Sequence, residues 1–369
     1  MYFTEISLKN FRNYREQTVS FHPNVNIIAG NNAQGKTNLL ESLYIMSLGK
    51  SFRTNKDAEM IGFGGDFSCV KSIYMKEGRE RSIEIILSKE GKSIQIDGCR
   101  ARKSSDLLEN AYIVSFTPED MKIVKDEPEK RRRFIDRELC QLKPVYFNTL
   151  GRYKKVLMQR NSLLKEESLN DELMEIWENS LAEYGSRIII ARMHFVENLK
   201  RISRELHSSI TDGKEDLDLF YESSIPFNEK KEEIQKAFLE RLQKERKKDL
   251  YRGSTGSGPH RDDLKITIDG KDVRNYGSQG QQRTAALSLK LAEVRIIQEE
   301  KKENPVLLLD DVLSELDEKR QKFLLKSLSE VQLFITAAEM KGSLWNSLPE
   351  RKVFIVENGN VTIDPQVVG

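Results

Sequence analysis

The sequence predicts an α/β fold, a mixed sheet with helices, interrupted by an inserted α-helical arm. Three observations predict it. Short β-branched and apolar runs cluster in roughly the first 120 and last 120 of the 369 residues. A glycine-rich segment, Gly30–Thr37, follows one such run and precedes a helical pattern. Between the strand-rich ends, apolar residues recur at steps of three and four, the period of a helix.

In chain order, Val25–Ala29 reads as a strand running into Gly30. Leu39, Leu40, Leu43, Ile45 and Met46 then mark a helix. Ser82–Leu87 and Ser93–Asp97 flank Lys89-Glu90-Gly91 and read as a hairpin. Tyr112–Phe116 is the next strand. In the arm, Pro144 suits the first turn of a helix carrying Phe147, Leu150, Tyr153 and Leu157. A stripe from Leu173 through Trp177, Leu181 and Ile188 to Ile210 predicts one helix of about 40 residues, ~60 Å long. Asn170 or Ser168 is placed to cap its start, and Gly213 follows its end. Ile234, Phe238 and Leu242 mark a third helix after Asn228. Leu264–Ile268, Val306–Leu309, Leu333–Thr336 and Val353–Val356 complete the strands. Val306–Leu309 is apolar at every position, as a strand buried on both faces must be. The predicted division is a head from residues 1–120 and 251–369, with an arm over 121–250.

Charge is heavy but balanced, with 60 Lys and Arg against 58 Asp and Glu. Balance excludes a disordered polyelectrolyte and a chain that is basic throughout. No apolar run approaches the ~18 residues of a membrane span, and the first residues carry no signal-peptide pattern. The three cysteines are scattered, without a C-x-x-C pair, so free thiols in a reducing cytoplasm are expected. Locally the balance breaks. Lys130–Arg160 holds ten basic residues against two acids, and 161–183 one lysine against seven acids. A second basic cluster runs from Arg241 to Arg252. One reading is two solvated helix faces that partner each other. The other is a phosphate-tracking surface, with Arg131, Arg132, Arg133, Arg152, Lys154 and Lys155 as the DNA-binding candidates.

Gly30-Asn31-Asn32-Ala33-Gln34-Gly35-Lys36-Thr37 matches G-x-x-x-x-G-K-[ST]. Glycines let backbone N–H groups wrap phosphates. Lys36 is expected to reach the β- and γ-phosphates of ATP, and the Thr37 hydroxyl to ligate Mg²⁺. The helix that follows adds its N-terminal dipole to the anion site. Near the other end, Val306–Leu309 runs into Asp310-Asp311. Carboxylates at the tip of a central strand sit beside such a phosphate loop. Asp310 is expected to hold Mg²⁺ through water, and Asp311 to orient or deprotonate the attacking water.

Tyr276-Gly277-Ser278-Gln279-Gly280-Gln281-Gln282-Arg283 precedes a long helical pattern and resembles the signature motif of ABC-type ATPases. The usual core there is serine-glycine-glycine-glutamine, and Gln279 replaces one glycine. The resemblance implies that Ser278, Gly280 and Gln281 bind the γ-phosphate held by an opposite subunit, so that ATP gates a homodimer. Ser314-Glu315-Leu316-Asp317 resembles the loop lining the same interface. Leu8–Tyr14, Phe116–Asp120, Arg131–Asp136, Gly258–Asp263 and Leu308–Asp317 extend the likeness along nearly the whole chain, to the SMC-like DNA-repair branch of that family. The likeness implies an ATPase head with a short helical lobe and slow, DNA-stimulated ATP hydrolysis. It also implies partners RecR and RecO, acting at gaps between single- and double-stranded DNA. Arg12 matches an arginine that touches nucleotide phosphate in related heads.

Three departures stand out. Asp311 occupies the usual glutamate position, one methylene shorter. Ala337-Ala338-Glu339 stands where a switch histidine is usual. No glutamine follows Tyr112–Phe116, leaving Glu119 or Asp120 as replacements. His260-Arg261-Asp262 is not a kinase loop, because no asparagine follows at the required spacing. Its flanking glycines suggest a loop near the nucleotide or a dimer interface. The rivals are the ATPase subunit of a membrane transporter and a nucleotide-sensing scaffold with vestigial hydrolysis.

Overall fold

The computed structural model describes residues 1–166, 170–226, 230–328, 330–338, 348 and 350–364. The chain opens with β1 (Tyr2–Phe11), β2 (Tyr14–Ser20), β3 (Val25–Ala29) and helix α1 (Lys36–Leu48). Next come β4 (Phe67–Lys76), β5 (Arg79–Ser88), β6 (Gly91–Ile96), β7 (Cys99–Arg100) and β8 (Ile113–Phe116). The middle holds α2 (Pro128–Leu142), α3 (Pro144–Leu163), α4 (Asp171–Thr211), β9 (Leu217–Glu222) and α5 (Lys231–Arg252). It continues through β10 (Asp263–Ile268), β11 (Lys271–Asp272), α6 (Val273–Tyr276) and α7 (Gln279–Lys301). The chain closes with β12 (Val306–Leu309), α8 (Glu318–Ser327), β13 (Leu333–Ala337), β14 (Arg351–Glu357) and β15 (Asn360–Ile363).

Contacts divide the chain into two compact units, Met1–Met121 with Ala286 onward, and Lys122–Ala285. The first unit carries two sheets. One is antiparallel, in the order β2-β1-β4-β5-β6-β7. The other runs β15-β14-β3-β13-β12-β8, parallel except for the β14–β15 hairpin. Helix α1 packs against β1 and β4 of one sheet and β8 and β13 of the other. It is therefore buried on nearly every side, taking in Glu41, Ser42 and Ser47 beside its apolar residues. Leu39, Leu40, Leu43 and Ile45 are each at most 1% exposed. Each such side chain stabilises the fold by about 1.5–3 kcal/mol relative to exposure. They join Phe3, Phe11, Val70, Ile83, Leu308 and Phe334 in one core.

The second unit packs α3, α4 and α5 together, with α2 against them and a small sheet in the order β11-β10-β9. Pro144 opens α3, and the Asn170 side chain accepts the Leu173 N–H at 2.9 Å to start α4. Ser168 and Asn228 lie outside the described residues. The long helix is 41 residues, Asp171–Thr211, but its inward stripe differs from the apolar period at its first turns. Leu173 is 40% exposed, while Met174 and Glu178 turn inward. The reason is charge. Glu178 is drawn in by Arg160 at 3.0 Å and by Arg246 at 2.6 Å. Further along, a Cβ on Gly185 would lie 2.3 Å from the Phe238 ring, so glycine lets α4 and α5 touch.

Two expectations need correction. The stretch 121–250 is not purely helical, because Leu217–Glu222 forms a strand. The second unit also continues past residue 250, to Ala285. Both follow from one pairing. Its sequence position places β10 with the head, but it pairs antiparallel with β9 from Asp263↔Glu222 to Ile268↔Leu217. Among the described residues, no helix is long and apolar enough to cross a membrane.

Candidate nucleotide site

Strand β3 is buried along its length and ends at Gly30, whose φ of 144° and tight surroundings exclude a side chain. A Cβ there would lie 2.5 Å from the Val356 carbonyl oxygen. At the other end of the loop Gly35 has φ 125°, and a Cβ would meet the Asn13 amide at 2.8 Å. Helix α1 begins at Gly35 with no capping side chain and no acid in its first turn. Its leading N–H groups are thus left for an anion. Lys36 curls back over the loop, and its Nζ donates to the carbonyls of Gly30 at 2.6 Å and Asn31 at 3.0 Å. Asn31, Asn32 and Ala33 are exposed at the crest of the loop.

The loop is clamped from behind. Gln34 accepts through its carbonyl from the Asn13 amide at 2.8 Å and from Gly359 N–H at 3.1 Å. Its side-chain oxygen accepts Asn358 N–H at 2.7 Å. Tyr14, fully buried, donates its hydroxyl to the Gly35 carbonyl at 3.0 Å. Burial raises the Tyr14 pKa, which keeps this phenol a donor.

Three neighbouring parallel strands, β3, β13 and β12, bring the acidic half into place. Thr37 Oγ1 donates to Asp310 Oδ1 at 3.0 Å. Thr336 Oγ1 donates to the same oxygen at 3.0 Å and accepts the Asp311 N–H at 2.8 Å. Burial pushes the Asp310 carboxyl above the ordinary carboxylate range, the neighbouring Asp311 adds to this, and the two threonines oppose it. A buried carboxylate with a threonine hydroxyl at hydrogen-bond distance is a donor set that fits Mg²⁺, a hard cation bound by oxygens. Asp311 takes a left-handed φ of 53° just past β12.

Other expected residues fall elsewhere. Arg12, in the turn after β1, is held by Glu41 of α1 through two bonds of 2.8 and 2.7 Å. Asp120 accepts from the Thr117 N–H and hydroxyl, both at 2.9 Å. Glu339 lies outside the described residues. Ser278, Gly280 and Gln281 lie in the second unit, at the start of α7. There Ser278 Oγ accepts the Gln281 N–H at 3.2 Å, and Gln281 Oε1 accepts the Ser278 N–H at 2.9 Å. This reciprocal pair is a capping box, and Ser-x-x-Gln is its sequence signature.

The six DNA-binding candidates separate. Arg131 is 3% exposed, paired with Asp263 through bonds of 2.7 and 2.8 Å and bonded to the Asp126 carbonyl at 2.6 Å. It holds the unit together and is removed from the DNA-facing set. Arg132 donates to the Asp262 carbonyl at 2.8 Å. Arg133 is exposed and paired with Glu129. Arg152, Lys154 and Lys155 are exposed on α3. The Gly258–Asp263 loop is likewise fixed inside this unit. Arg192 donates to the Pro259 carbonyl at 2.6 Å, Tyr221 bonds Asp262, and Tyr153 bonds His260 at 2.7 Å.

Some of the site's residues escaped the sequence reading. Arg53 donates to Asn38 of α1 at 2.7 Å, and its charge favours ionised Asp310. Thr336 was visible only as a polar end to an apolar strand. Asn358-Gly359 carried a turn signal but no hint of its target.

A phosphate loop facing a carboxylate-tipped strand defines a P-loop nucleotide-binding head, here with a second unit inserted in it. A family profile described as RecF/RecN/SMC N terminal domain matches residues 2–359. The chain is 42% identical over 363 residues to the DNA replication and repair protein RecF of Clostridioides difficile strain 630, covering 98% of each. It is 41% identical over 367 residues to that of Halalkalibacterium halodurans, covering 98% of this chain and 99% of the other. Among solved structures, the recombination mediator protein RecF with ATP, of the RecFOR pathway, superimposes with a TM-score of 0.91 at 39% identity, covering 98% and 97%. An Smc head from Pyrococcus furiosus, at 18% identity and a TM-score of 0.56, shares the fold. The chain belongs to the RecF family.

Proposed function

We propose that this chain is an ATP-dependent DNA-binding protein of recombinational repair and replication, working in the cytoplasm. The Thr37–Asp310 bond carries the reading, because it joins the phosphate loop to the acidic strand as Mg–nucleotide binding requires. RecF relatives at about 42% identity support it over the transporter subunit.

In this reading the Gly30–Gly35 backbone and the first N–H groups of α1 surround the phosphates of ATP. Lys36 leaves the Gly30 and Asn31 carbonyls for the β- and γ-phosphates. Mg²⁺, held by Thr37 directly and Asp310 through water, would neutralise phosphate charge. Asp311 orients the attacking water, and its short side chain fits slow hydrolysis used as a switch. Ser278, Gly280 and Gln281 take the γ-phosphate of a second copy, so ATP closes a homodimer. Arg12 is a further phosphate contact, released from Glu41. Exposed Arg133, Arg152, Lys154 and Lys155, with Arg132, bind DNA backbone without base specificity, at gaps or junctions. RecR and RecO are the proposed protein partners.

Light scattering with a slowly hydrolysed ATP analogue tests this. The chain should shift from monomer to dimer, and Ser278→Arg should not. A Ser278→Arg chain that dimerised normally would sink the mechanism. Single-turnover hydrolysis with and without duplex DNA tests the switch. Turnover no faster than that of Asp311→Asn would favour a nucleotide-sensing scaffold.

A further inference from the structure

The C-terminal half of α5 exposes a stripe that the phosphate site and the α3 surface leave unused. Lys244, Lys247, Lys248, Tyr251 and Arg252 recur at helical spacing and are all exposed. Tyr251 is 97% exposed. The opposite face explains why the stripe stands free of acids. Glu245 is bound to Ser257 and Arg241, and Asp249 to Arg160 and the Gly256 N–H. Lys244, Lys247 and Lys248 pair with no described residue. Lys165, from the end of α3, reaches the same place, its side chain within ordinary contact distance of a Cβ on Gly253.

The stripe is also rigid. Asp249 is 1% exposed, and Arg160 holds it at 2.8 Å. Leu250 packs on Leu163, Leu164 and Met174. The helix runs on to Arg252 and ends at Gly253, in the left-handed conformation with φ 66°. Tyr251 is thus an aromatic ring presented to water from a fixed helix turn, with cations around it.

A row of unpaired cations fits a phosphate backbone. The ring adds something a duplex cannot use, because paired bases already stack on each other. Unpaired bases offer a free face to an aromatic side chain. We propose that this face of α5 binds unpaired nucleotides, with the lysines following the backbone and Tyr251 stacking on a base. The proposal rests on the DNA-binding reading above and assigns the single-stranded part of its substrate to a surface separate from α3.

The test is fluorescence anisotropy on the full chain with ATP, using a labelled oligothymidylate and a blunt duplex of equal length at two salt concentrations. Tyr251→Ala should weaken oligothymidylate binding about fivefold or more and leave the duplex within about twofold. Tyr251→Phe should retain binding. Replacing Lys247 and Lys248 by Ala should flatten the salt dependence on oligothymidylate by about 1.4 in log–log slope. Tyr251 is nearly fully exposed, so its variants should keep the thermal midpoint of the parent chain.

Unchanged oligothymidylate affinity in Tyr251→Ala, or an equal loss on both DNAs, overturns the proposal. Duplex binding by the parent chain without any oligothymidylate binding overturns it too, while sparing the wider reading. Failure to bind either DNA removes both.

Discussion

Thr37 and Asp310 are separated by 273 residues of chain and joined by a hydrogen bond of 3.0 Å. The bond ties the phosphate loop to the acidic strand. It holds a carboxylate in a place that disfavours its charge. Asp310 binds its proton more tightly in the fold than at its ordinary pKa of 3.8. Ionised Asp310 therefore costs stability at neutral pH. That cost fades as pH falls through the raised value towards 3.8. Asp310→Asn should melt above the parent chain at neutral pH without nucleotide, and the gap should shrink on acidification. With Mg²⁺ and ATP the order should reverse, since the variant loses about 10–100-fold in metal affinity. Differential scanning fluorimetry across pH reads both arms.

Gly359 approaches Asn13 so closely that a Cβ would lie 2.3 Å from its carbonyl oxygen, and its φ is +75°. Gly359→Ala should destabilise the chain by about 2 kcal/mol or more. The displaced turn is the one that donates to Gln34, so ATP affinity should fall as well. Equilibrium binding of a fluorescent ATP analogue, beside a denaturant melt, separates the two effects. An Ala variant with parental affinity would show that the turn does not set the loop.

Arg131→Ala should act on folding first. The change leaves Asp263 without its partner and the Asp126 carbonyl without its donor. Breaking such a pair costs roughly 3 kcal/mol. Lys155→Ala should instead keep stability and lower the salt slope on duplex DNA by about 0.9. Urea melts and salt-dependent DNA binding on both variants give opposite rankings if the assignment is right.

His260 titrates far from its ordinary range. Its Nε2 faces the Thr255 carbonyl at 3.1 Å and so carries the proton, leaving Nδ1 to accept from Tyr153. Burial first, then the charges of Arg261, Arg132 and Arg192, lower its pKa from 6.5 to about 4. The fold thus favours the neutral ring. That stability is complete above 6.5 and drains away as pH falls towards about 4. Denaturant midpoints of the parent chain should drop across that window more steeply than those of His260→Gln, which has no ring to protonate. Parallel curves would contradict the assignment.

Sequence alone made the nucleotide half of the site legible because its chemistry is local. Gly30, Gly35, Lys36 and Thr37 stand in one short stretch, and Asp310-Asp311 ends a strand of four apolar residues. The long helix was legible for the same reason, being periodic. Partners supplied by distant elements were not. Nothing near Gln34 announces Asn358 and Gly359, and nothing near Glu178 announces Arg160 and Arg246. Net local charge misled in one direction only. It counted Arg131 with the surface, because Asp263 is far off in sequence. The β9–β10 pairing moved a strand from one unit to the other for the same reason.

The parallel sheet under the phosphate loop has a consequence for biosynthesis. Its central strand, β3, lies between β13 and β14, which leave the ribosome long after it. Contacts of such sequence separation form slowly, because a long loop must close before they are rewarded. A nascent chain that has already displayed Gly30–Thr37 therefore has no floor beneath that loop. Nucleotide binding should appear only once β13 and β14 have emerged, and chains ended before Arg351 should depend on chaperones and be cleared by proteases.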